Sequence, residues 1–498
     1  QVLEYVFDKT ICFLENMPKS VRKKKGQFFT SVETATYMAE MFDLNGLPAS
    51  VDILDPGCGT GILSAALIDR LQRETNIKKI FLTCYETDPD VIPVLRSNLI
   101  YIKKNASISF DFEIKKDDYI LSQGDSFSGT LHAEPYPPKY DLVIANPPYL
   151  RIMRDDPAAI AMPEVVHGAP NLYFLFAAMS LFNLKKGREM VYIIPRSWTS
   201  GAYFRAFRNY FLHEGKIQQI HLFISRDKVF TEEQVLQETI IIKMKKTKTA
   251  PDNVIITSSQ SNRDFNDVSV LKVPYDSVVA GEELYVFLPL SSEEVAAVNK
   301  INTFSSTFPD IGLRMKTGIV VDFRQWEYLR SEPGDHTVPL FYSQHIRNGR
   351  VGHQPSGKNC DWIVDTKPGL IQRNKSYVFC KRFTAKEERR RLQCGIYLAE
   401  DFPQYHSIST QNKINYVDST IGEDLSKEVV YGVYALLNST LFDTYYRVLD
   451  GSTQVNSTEI NNIPVPPLCV IADIGKRLMQ KRSLSTATCD ELLNEVYT

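Results

Sequence analysis

Asn146-Pro147-Pro148-Tyr149 carries the most specific chemistry in the chain. It follows YDLVIA (140–145), a run that reads as a buried strand. It therefore sits at the carboxyl end of a strand, where open α/β sheets bind ligands. Two prolines stiffen the loop and fix the directions of the Asn146 side chain and the Pro147 carbonyl. Each of those oxygens can accept a hydrogen from one planar exocyclic amine. Such an amine is a poor nucleophile, because its lone pair is delocalised into the ring. Accepting both hydrogens returns density to nitrogen and turns the lone pair toward an electrophilic methyl. Tyr149 offers a flat face for stacking. The plain alternative is a proline-stiffened turn without a ligand.

A second motif, DPGCGTG (55–61), lies between an expected strand and an expected helix. Gly57, Gly59 and Gly61 let the backbone turn sharply and pass close to a ligand at the helix N-terminus. Led by Asp55 at the strand end, the G-x-G-x-G spacing is typical of S-adenosylmethionine sites. It lacks the third glycine of a nicotinamide loop, and a tight turn with no ligand is the other reading. Glu86, ending the next strand in CYETDP, can accept both ribose hydroxyls of an adenosine-bearing cofactor. Alternatively it caps the following helix, although Asp88-Pro89 is the better cap.

Residues 51–245 must position these motifs. Strands are expected at 51–55, 80–86, 110–114, 140–145, 189–195, 216–223 and 238–245, with helices at 61–72, 89–103, 171–184 and 202–213. This alternation predicts a doubly wound α/β domain with a largely parallel sheet. Upstream, residues 30–42 read as a helix opened by a Thr30-x-x-Glu33 capping box. After KKTKTAPDN (245–253) short strands mix with polar turns. From 311 onward aromatic, basic and glycine residues interleave, as in KTGIVVDFRQWEYLR (316–330), which predicts a second α+β domain. The expected domains are 1–275 and 276–498.

With 498 residues the chain has room for two to three domains at about 150 residues each. Its 43% hydrophobic and 23% charged residues exclude a mostly disordered chain. No apolar run is long enough to span a bilayer, and the first residues carry no basic signal-peptide start. The opening Gln1 suggests a trimmed start. Eight cysteines without CxxC or zinc spacing read as reduced thiols in a cytoplasmic protein, and no metal site is expected. The net charge of −2 hides an asymmetry: residues 311–415 hold 17 Lys/Arg against 10 Asp/Glu. A near-neutral total is thus no argument against a nucleic-acid partner.

In this order the motifs resemble the adenine-N6 DNA methyltransferases of type II restriction–modification systems, specifically the gamma class typified by the TaqI enzyme. GQFFT (26–30) is similar to that family's cofactor-contacting N-terminal segment, DPGCGTG to its cofactor loop and YETDP (85–89) to its ribose-binding motif. KDDYIL (116–121), NLYFLF (171–176) and VYIIPRSWTS (191–200) resemble its further core segments. DKVFTEEQVLQETIIIKMKK (227–246) resembles the loop and strand in which an aromatic, here Phe230, stacks on the flipped adenine. Asn171 departs from the pattern, since many relatives carry Asp before Leu-Tyr. The stretch 436–467 resembles the end of recognition domains in this group, and methylases of the BsuBI/PstI type, which accompany a CTGCAG-cutting enzyme, are similar.

The resemblance implies a Rossmann-like S-adenosylmethionine-dependent methyltransferase core with a mixed, mostly parallel sheet, and a target-recognition domain. It implies cofactor contacts at Phe29, Thr30, Asp55, Gly57, Gly59, Gly61, Glu86, Asp118 and Tyr119, and catalysis at Asn146, Pro147, Tyr149 and Phe230. It also implies double-stranded DNA as substrate, a separate restriction endonuclease as functional partner, and a monomer. Core and recognition domain together leave no room for a fused nuclease. Glu113-x-Lys115, formally like the end of a nuclease site, reads as the end of a strand.

Arg347, Arg350, Lys358, Arg373 and Lys375 flank aromatics on expected loops and are the candidates for DNA contact. Arg22–Lys25 reads equally as a solvated face or a phosphate contact, and Arg389–Arg391 as an exposed helix. Two alternatives come from other classes: a protein-glutamine or RNA methyltransferase using the same NPPY chemistry, and a non-catalytic DNA-recognition subunit.

Overall fold

The computed structural model describes residues 2–16, 30–74, 76–129, 139–224, 239–385 and 387–497. The chain divides into two units, Gln1–Ser291 and Ser292–Thr498. The boundary falls beyond the expected residue 275, because Tyr275–Val278 is still a helical turn on the first unit's sheet edge.

In the first unit the order is α1 (Val2–Glu15), α2 (Val32–Glu40), β1 (Ser50–Pro56), α3 (Ile62–Leu71), β2 (Lys79–Tyr85), α4 (Ile92–Asn105), β3 (Ser109–Lys115), β4 (Tyr140–Ala145), α5 (Leu172–Asn183), β5 (Leu184–Pro195), α6 (Arg205–Glu214), β6 (Lys216–Phe223), β7 (Thr239–Lys245), β8 (Asn253–Ser259) and β9 (Ser269–Pro274). They form one nine-stranded sheet, β3-β2-β1-β4-β5-β7-β6-β8-β9. From β3 to β5 all neighbours are parallel; β7 runs antiparallel between β5 and β6. Every residue of β4 is buried, as a parallel strand covered on both faces must be. Its register against β1 brings the strand ends carrying NPPY and the glycine loop to one edge.

Strands β8 and β9 follow the charged, proline-containing break at 245–253 and extend the first sheet, within the catalytic domain expected to run to residue 275. A buried polar network accounts for the join. His221 of β6 bonds Thr257 and Ser259 of β8 at 2.9 and 3.0 Å, and Tyr37 of α2 bonds Thr257 at 2.9 Å. Burial drives the His221 pKa down to about 3, so the ring serves as a neutral bridge.

The second unit runs α7 (Ser292–Ile301), β10 (Leu313–Thr317), β11 (Thr337–Phe341), β12 (Trp362–Val364), β13 (Tyr377–Lys381), β14 (Cys394–Tyr397), β15 (Ser407–Thr410), β16 (Ile414–Ser419), α8 (Lys427–Leu437), α9 (Thr440–Leu449), α10 (Leu468–Met479) and α11 (Thr486–Tyr497). One sheet is β10-β16-β13-β14 plus the hairpin 346–351; the other joins β12, β11 and β15 with the edge pairs Leu329–Arg330 and Gln372–Arg373. Helices α8 and α10 meet backbone to backbone. A Cβ at Gly432 would lie 1.9 Å from the Ile471 carbonyl oxygen, so only glycine fits.

The segment Arg389–Arg391, expected as an exposed helix, is irregular and not helical. Arg391 is fully buried, bonding the Asp450 carboxylate and carbonyl at 3.3 and 3.2 Å. No helix among the described residues is long and apolar enough to cross a membrane.

Candidate active site

Beyond Pro56 the chain reverses through Gly57 (φ 72), Gly59 (φ 56) and Gly61 (φ 87), left-handed conformations that favour glycine. The amides of Gly57 and Cys58 donate to the Tyr85 carbonyl at 2.9 and 3.1 Å, locking the loop to β2. Thr60 is gripped from behind: Asn98 of α4 donates to its carbonyl at 2.9 Å, and its hydroxyl meets Thr10 of α1 at 2.7 Å.

Two carboxylates underpin this loop. Asp55 is buried; its Oδ2 accepts from the Ser64 hydroxyl at 2.6 Å, and its Oδ1 has no hydrogen-bond partner among the described residues. Burial pushes its pKa up to about 7, against the pull of Ser64, with Glu86 adding to the rise. Glu86 accepts from the Gly59 amide at 3.0 Å and the Asp88 amide at 2.8 Å, tying two loops together. Its pKa is also raised, by burial first. Asp88 does not cap α4 with its side chain; its Oδ1 accepts from the Asp90 amide instead.

Asn146 stands opposite, at the end of β4. Its Nδ2 donates to the Thr30 hydroxyl oxygen at 3.1 Å. Thr30 is not the helix cap expected of it. Ser31 caps α2 by accepting from the Thr34 amide, and Thr30 is thereby turned toward Asn146. Ser31 and Thr34 in turn donate to the Asn262 carbonyl at 3.2 and 3.0 Å, which anchors the start of α2.

The Tyr149 hydroxyl donates to the Ile193 carbonyl at 2.9 Å, and its ring stands edge-on to Tyr173 at 6.3 Å. Asn171 caps α5 by accepting from the Tyr173 amide at 3.3 Å; an amide oxygen there does what an aspartate oxygen would.

Thr30, Gly57, Gly59, Glu86, Asp118, Tyr119 and Asn146 line one cavity of about 430 Å³. Asp118 caps a turn through the Ile120 and Leu121 amides, both at 2.9 Å, and the Tyr119 ring packs 5.2 Å from Phe176. Asp55, Gly61, Pro147 and Tyr149 are not on the wall but hold or flank residues that are. Phe29 and Phe230 lie outside the described residues, as does Arg22–Lys25. Reasoning from sequence missed Leu172, Phe176 and Asp117 on the wall. The signal for the first two was their one-turn spacing within NLYFLF.

The residues present fit S-adenosylmethionine. The volume lies within the range of small-molecule sites. Glu86, Asp88, Asp117 and Asp118 line the cavity, and no lysine or arginine among the described residues does, which suits a ligand bearing sulfonium and ammonium charges.

The candidate DNA-contact residues are dispersed. Arg347 and Arg350 are exposed on a hairpin turned by Asn348-Gly349, both at positive φ. Arg373 is exposed on a sheet edge, and Lys358 pairs with Asp322 at 3.6 Å. Lys375 corrects the expectation. It is 4% exposed and donates to Asp418 at 2.6 Å and to the Gly422 carbonyl at 3.2 Å, so it is a buried structural cation.

The model of the Eco57I restriction-modification methylase family matches residues 67–230. The type II methyltransferase M.PstI of Providencia stuartii is 32% identical over 488 residues, 96% of this chain and 94% of the relative. M.BsuBI of Bacillus subtilis, also a type II methyltransferase, is 32% identical over 506 residues, 100% and 98% of the two chains. Among solved structures, the type IIL restriction-modification enzyme MmeI in complex with DNA shares the fold. Its TM-score is 0.52 at 10% identity, over 90% of this chain and 70% of that one.

Proposed function

The chain belongs to the type II methyltransferases of restriction–modification systems, and on that premise we propose that it methylates the exocyclic N6 amine of an adenine flipped out of double-stranded DNA. One observation carries the reading: Asn146, the amine-orienting residue of NPPY, shares a cavity wall with the glycine loop and Glu86. An acceptor for amine hydrogens and a seat for a methyl donor are thus one site.

S-adenosylmethionine, when bound, supplies an electrophilic methyl on a cationic sulfonium. Glu86 takes the ribose hydroxyls, and Asp55 with the acidic wall offsets the cofactor's positive charge. Thr30, Asp118 and Tyr119 complete the seat, joined by Phe29 from the family resemblance. Asn146 Oδ1 and the Pro147 carbonyl accept the two amine hydrogens and so turn the nitrogen lone pair toward the methyl. Orientation is the main contribution, and no strong general base is required. Flipping the base costs a few kcal/mol. Stacking between Tyr149 and Phe230 returns about 1–3 kcal/mol per base, and the bond from the Tyr149 hydroxyl to Ile193 keeps its ring from turning away. The product protects host DNA from a separate cognate endonuclease, and the enzyme acts as a cytoplasmic monomer.

The test is transfer of labelled methyl from S-adenosylmethionine to duplex DNA. Asn146→Ala should abolish transfer while cofactor binding persists. Label entering protein or tRNA but not DNA would overturn the proposal. Sequencing the genome of a methylation-free host expressing the chain would read out the modified adenines and their motif, for which the resemblance suggests CTGCAG.

A further inference from the structure

Helix α5 is apolar along most of its length, yet Ser180 and Asn183 are fully buried in it. Polar side chains in such a core call for partners, and theirs lie on the cavity wall. The Tyr119 hydroxyl meets the Ser180 hydroxyl at 3.0 Å and accepts from Asn183 Nδ2 at 3.1 Å. Ser180 also meets the Tyr192 hydroxyl of β5 at 2.5 Å, and Tyr192 donates to the Phe176 carbonyl at 3.3 Å. Tyr192 is in turn the register partner of Ala145, the residue before Asn146.

Proton counting gives this chain of bonds one direction. A carbonyl only accepts, so the single Tyr192 proton goes to Phe176. Ser180 must then donate to Tyr192 and Tyr119 to Ser180, while Asn183 supplies the bond to Tyr119. Each hydroxyl donates once and accepts once. The Tyr119 backbone is held from the same side. Its carbonyl accepts from Gln123 Nε2 at 3.2 Å, which turns Gln123 Oε1 toward Asn183 Nδ2 at 2.6 Å. Asn183 therefore directs both amide hydrogens at Tyr119 and its turn. Its own Oδ1 is buried with no hydrogen-bond partner among the described residues. An orphaned acceptor destabilises a core, so this arrangement holds Tyr119 at a cost in stability.

The part held is a ring on the wall. Tyr119 lines the cavity together with Tyr85 and Phe176, standing edge-on to the first at 4.9 Å and 5.2 Å from the second. A phenol oxygen lies on the axis of its ring, so bonds to it fix where that axis points, and the two neighbouring rings limit rotation about it. We propose that Ser180 and Asn183 are positioning residues for S-adenosylmethionine binding, acting through Tyr119, whose ring they hold in place on the cavity wall. This rests on S-adenosylmethionine being the ligand of that cavity, as in the proposed function.

The experiment measures S-adenosylmethionine affinity of the full chain by calorimetry for wild type, Ser180→Ala, Tyr119→Phe and the double variant, in which only hydroxyl oxygens are lost. Each single change should weaken binding about 3- to 10-fold, the scale of one hydrogen bond. The double variant should be no weaker than the worse single one, because both break the same bond. Asn183→Ala also releases the Gln123 turn and should weaken binding by about tenfold or more. In methyl transfer by Ser180→Ala the loss should fall on KM for S-adenosylmethionine rather than on kcat. Wild-type affinity in Ser180→Ala or Asn183→Ala, with only the melting temperature lowered, would make the network merely structural and overturn the proposal. Losses that multiply in the double variant would also overturn it, since Ser180 would then act by another route than Tyr119. Failure of the wild type to bind S-adenosylmethionine would bring down the proposed function before any variant is compared.

Discussion

Thr30→Val is the sharpest single perturbation of the catalytic geometry, because it exchanges a hydroxyl for a methyl at nearly constant volume. In the folded chain the Thr30 oxygen accepts from Asn146 Nδ2 at 3.1 Å, and Thr30 itself is 6% exposed. That bond decides which end of the carboxamide is the acceptor offered to a substrate amine. With nitrogen held by Thr30, Oδ1 is the terminal atom an amine hydrogen can meet. With the hydroxyl gone, the two orientations of the amide become closer in energy. A buried donor left unsatisfied costs about 1–3 kcal/mol; Asn146 is half-buried, so about 1–2 kcal/mol applies. At about 1.4 kcal/mol per factor of ten, kcat should fall roughly 5- to 30-fold.

The assay is single-turnover methyl transfer at saturating cofactor and DNA, with cofactor affinity measured separately by calorimetry because Thr30 also lines the cavity. Thr30→Ser keeps the acceptor and should recover most of the rate. A merely structural role for Thr30 predicts something else, namely lower stability and weaker binding with kcat intact. Unchanged kcat in the valine variant, or a serine variant as slow as the valine one, would refute the orienting role.

Cofactor affinity should rise with pH between about 6 and 8, since ionising Asp55, with its pKa near 7, places a negative charge behind the glycine loop that lines the cationic cofactor's cavity. The stability of the cofactor-free chain should move the opposite way. Between the ordinary Asp value of 3.8 and about 7 the folded state holds a proton that the unfolded state has released, so raising pH through that window removes stability. Thermal midpoints with and without S-adenosylmethionine from pH 5.5 to 8 test both signs, and a ligand-induced shift independent of pH would count against Asp55. Arg391→Ala should cost about 3–5 kcal/mol in urea unfolding, because it leaves the buried Asp450 carboxylate uncompensated; a loss under about 1 kcal/mol would contradict that pairing. Arg373→Ala should lower the salt slope of DNA binding by roughly 0.9 if it meets a phosphate. Lys375→Ala should instead lower stability with the slope unchanged, and the reverse pattern would put Lys375 back at the DNA face.

What could be read from sequence and what could not differ by the range over which each feature is determined. The glycine loop is decided by its own backbone: three positive-φ positions fall on three glycines, and β1 and α3 flank them as expected. NPPY is likewise local, since proline restrains the chain wherever it stands. The Asn146–Thr30 bond spans 116 residues, and no local pattern announces it. The capping box expected at Thr30 failed because Ser31, one residue on, offered an equally good cap and left Thr30 turned toward the cavity.

The second unit depends on such distant pairings more heavily. KEERRRLQ has the composition of a solvated helix, and Arg391 is buried only because Asp450, 59 residues later, waits for it beside Tyr446. Lys375 was misjudged for the same reason, its partner Asp418 lying 43 residues away. Whether a cation finds a distant carboxylate is a property that composition cannot reveal, and some exposed arginines of the second unit have no carboxylate partner among the described residues. That argument favours Arg324, Arg330, Arg347, Arg350 and Arg373 over any count of basic residues between 311 and 415.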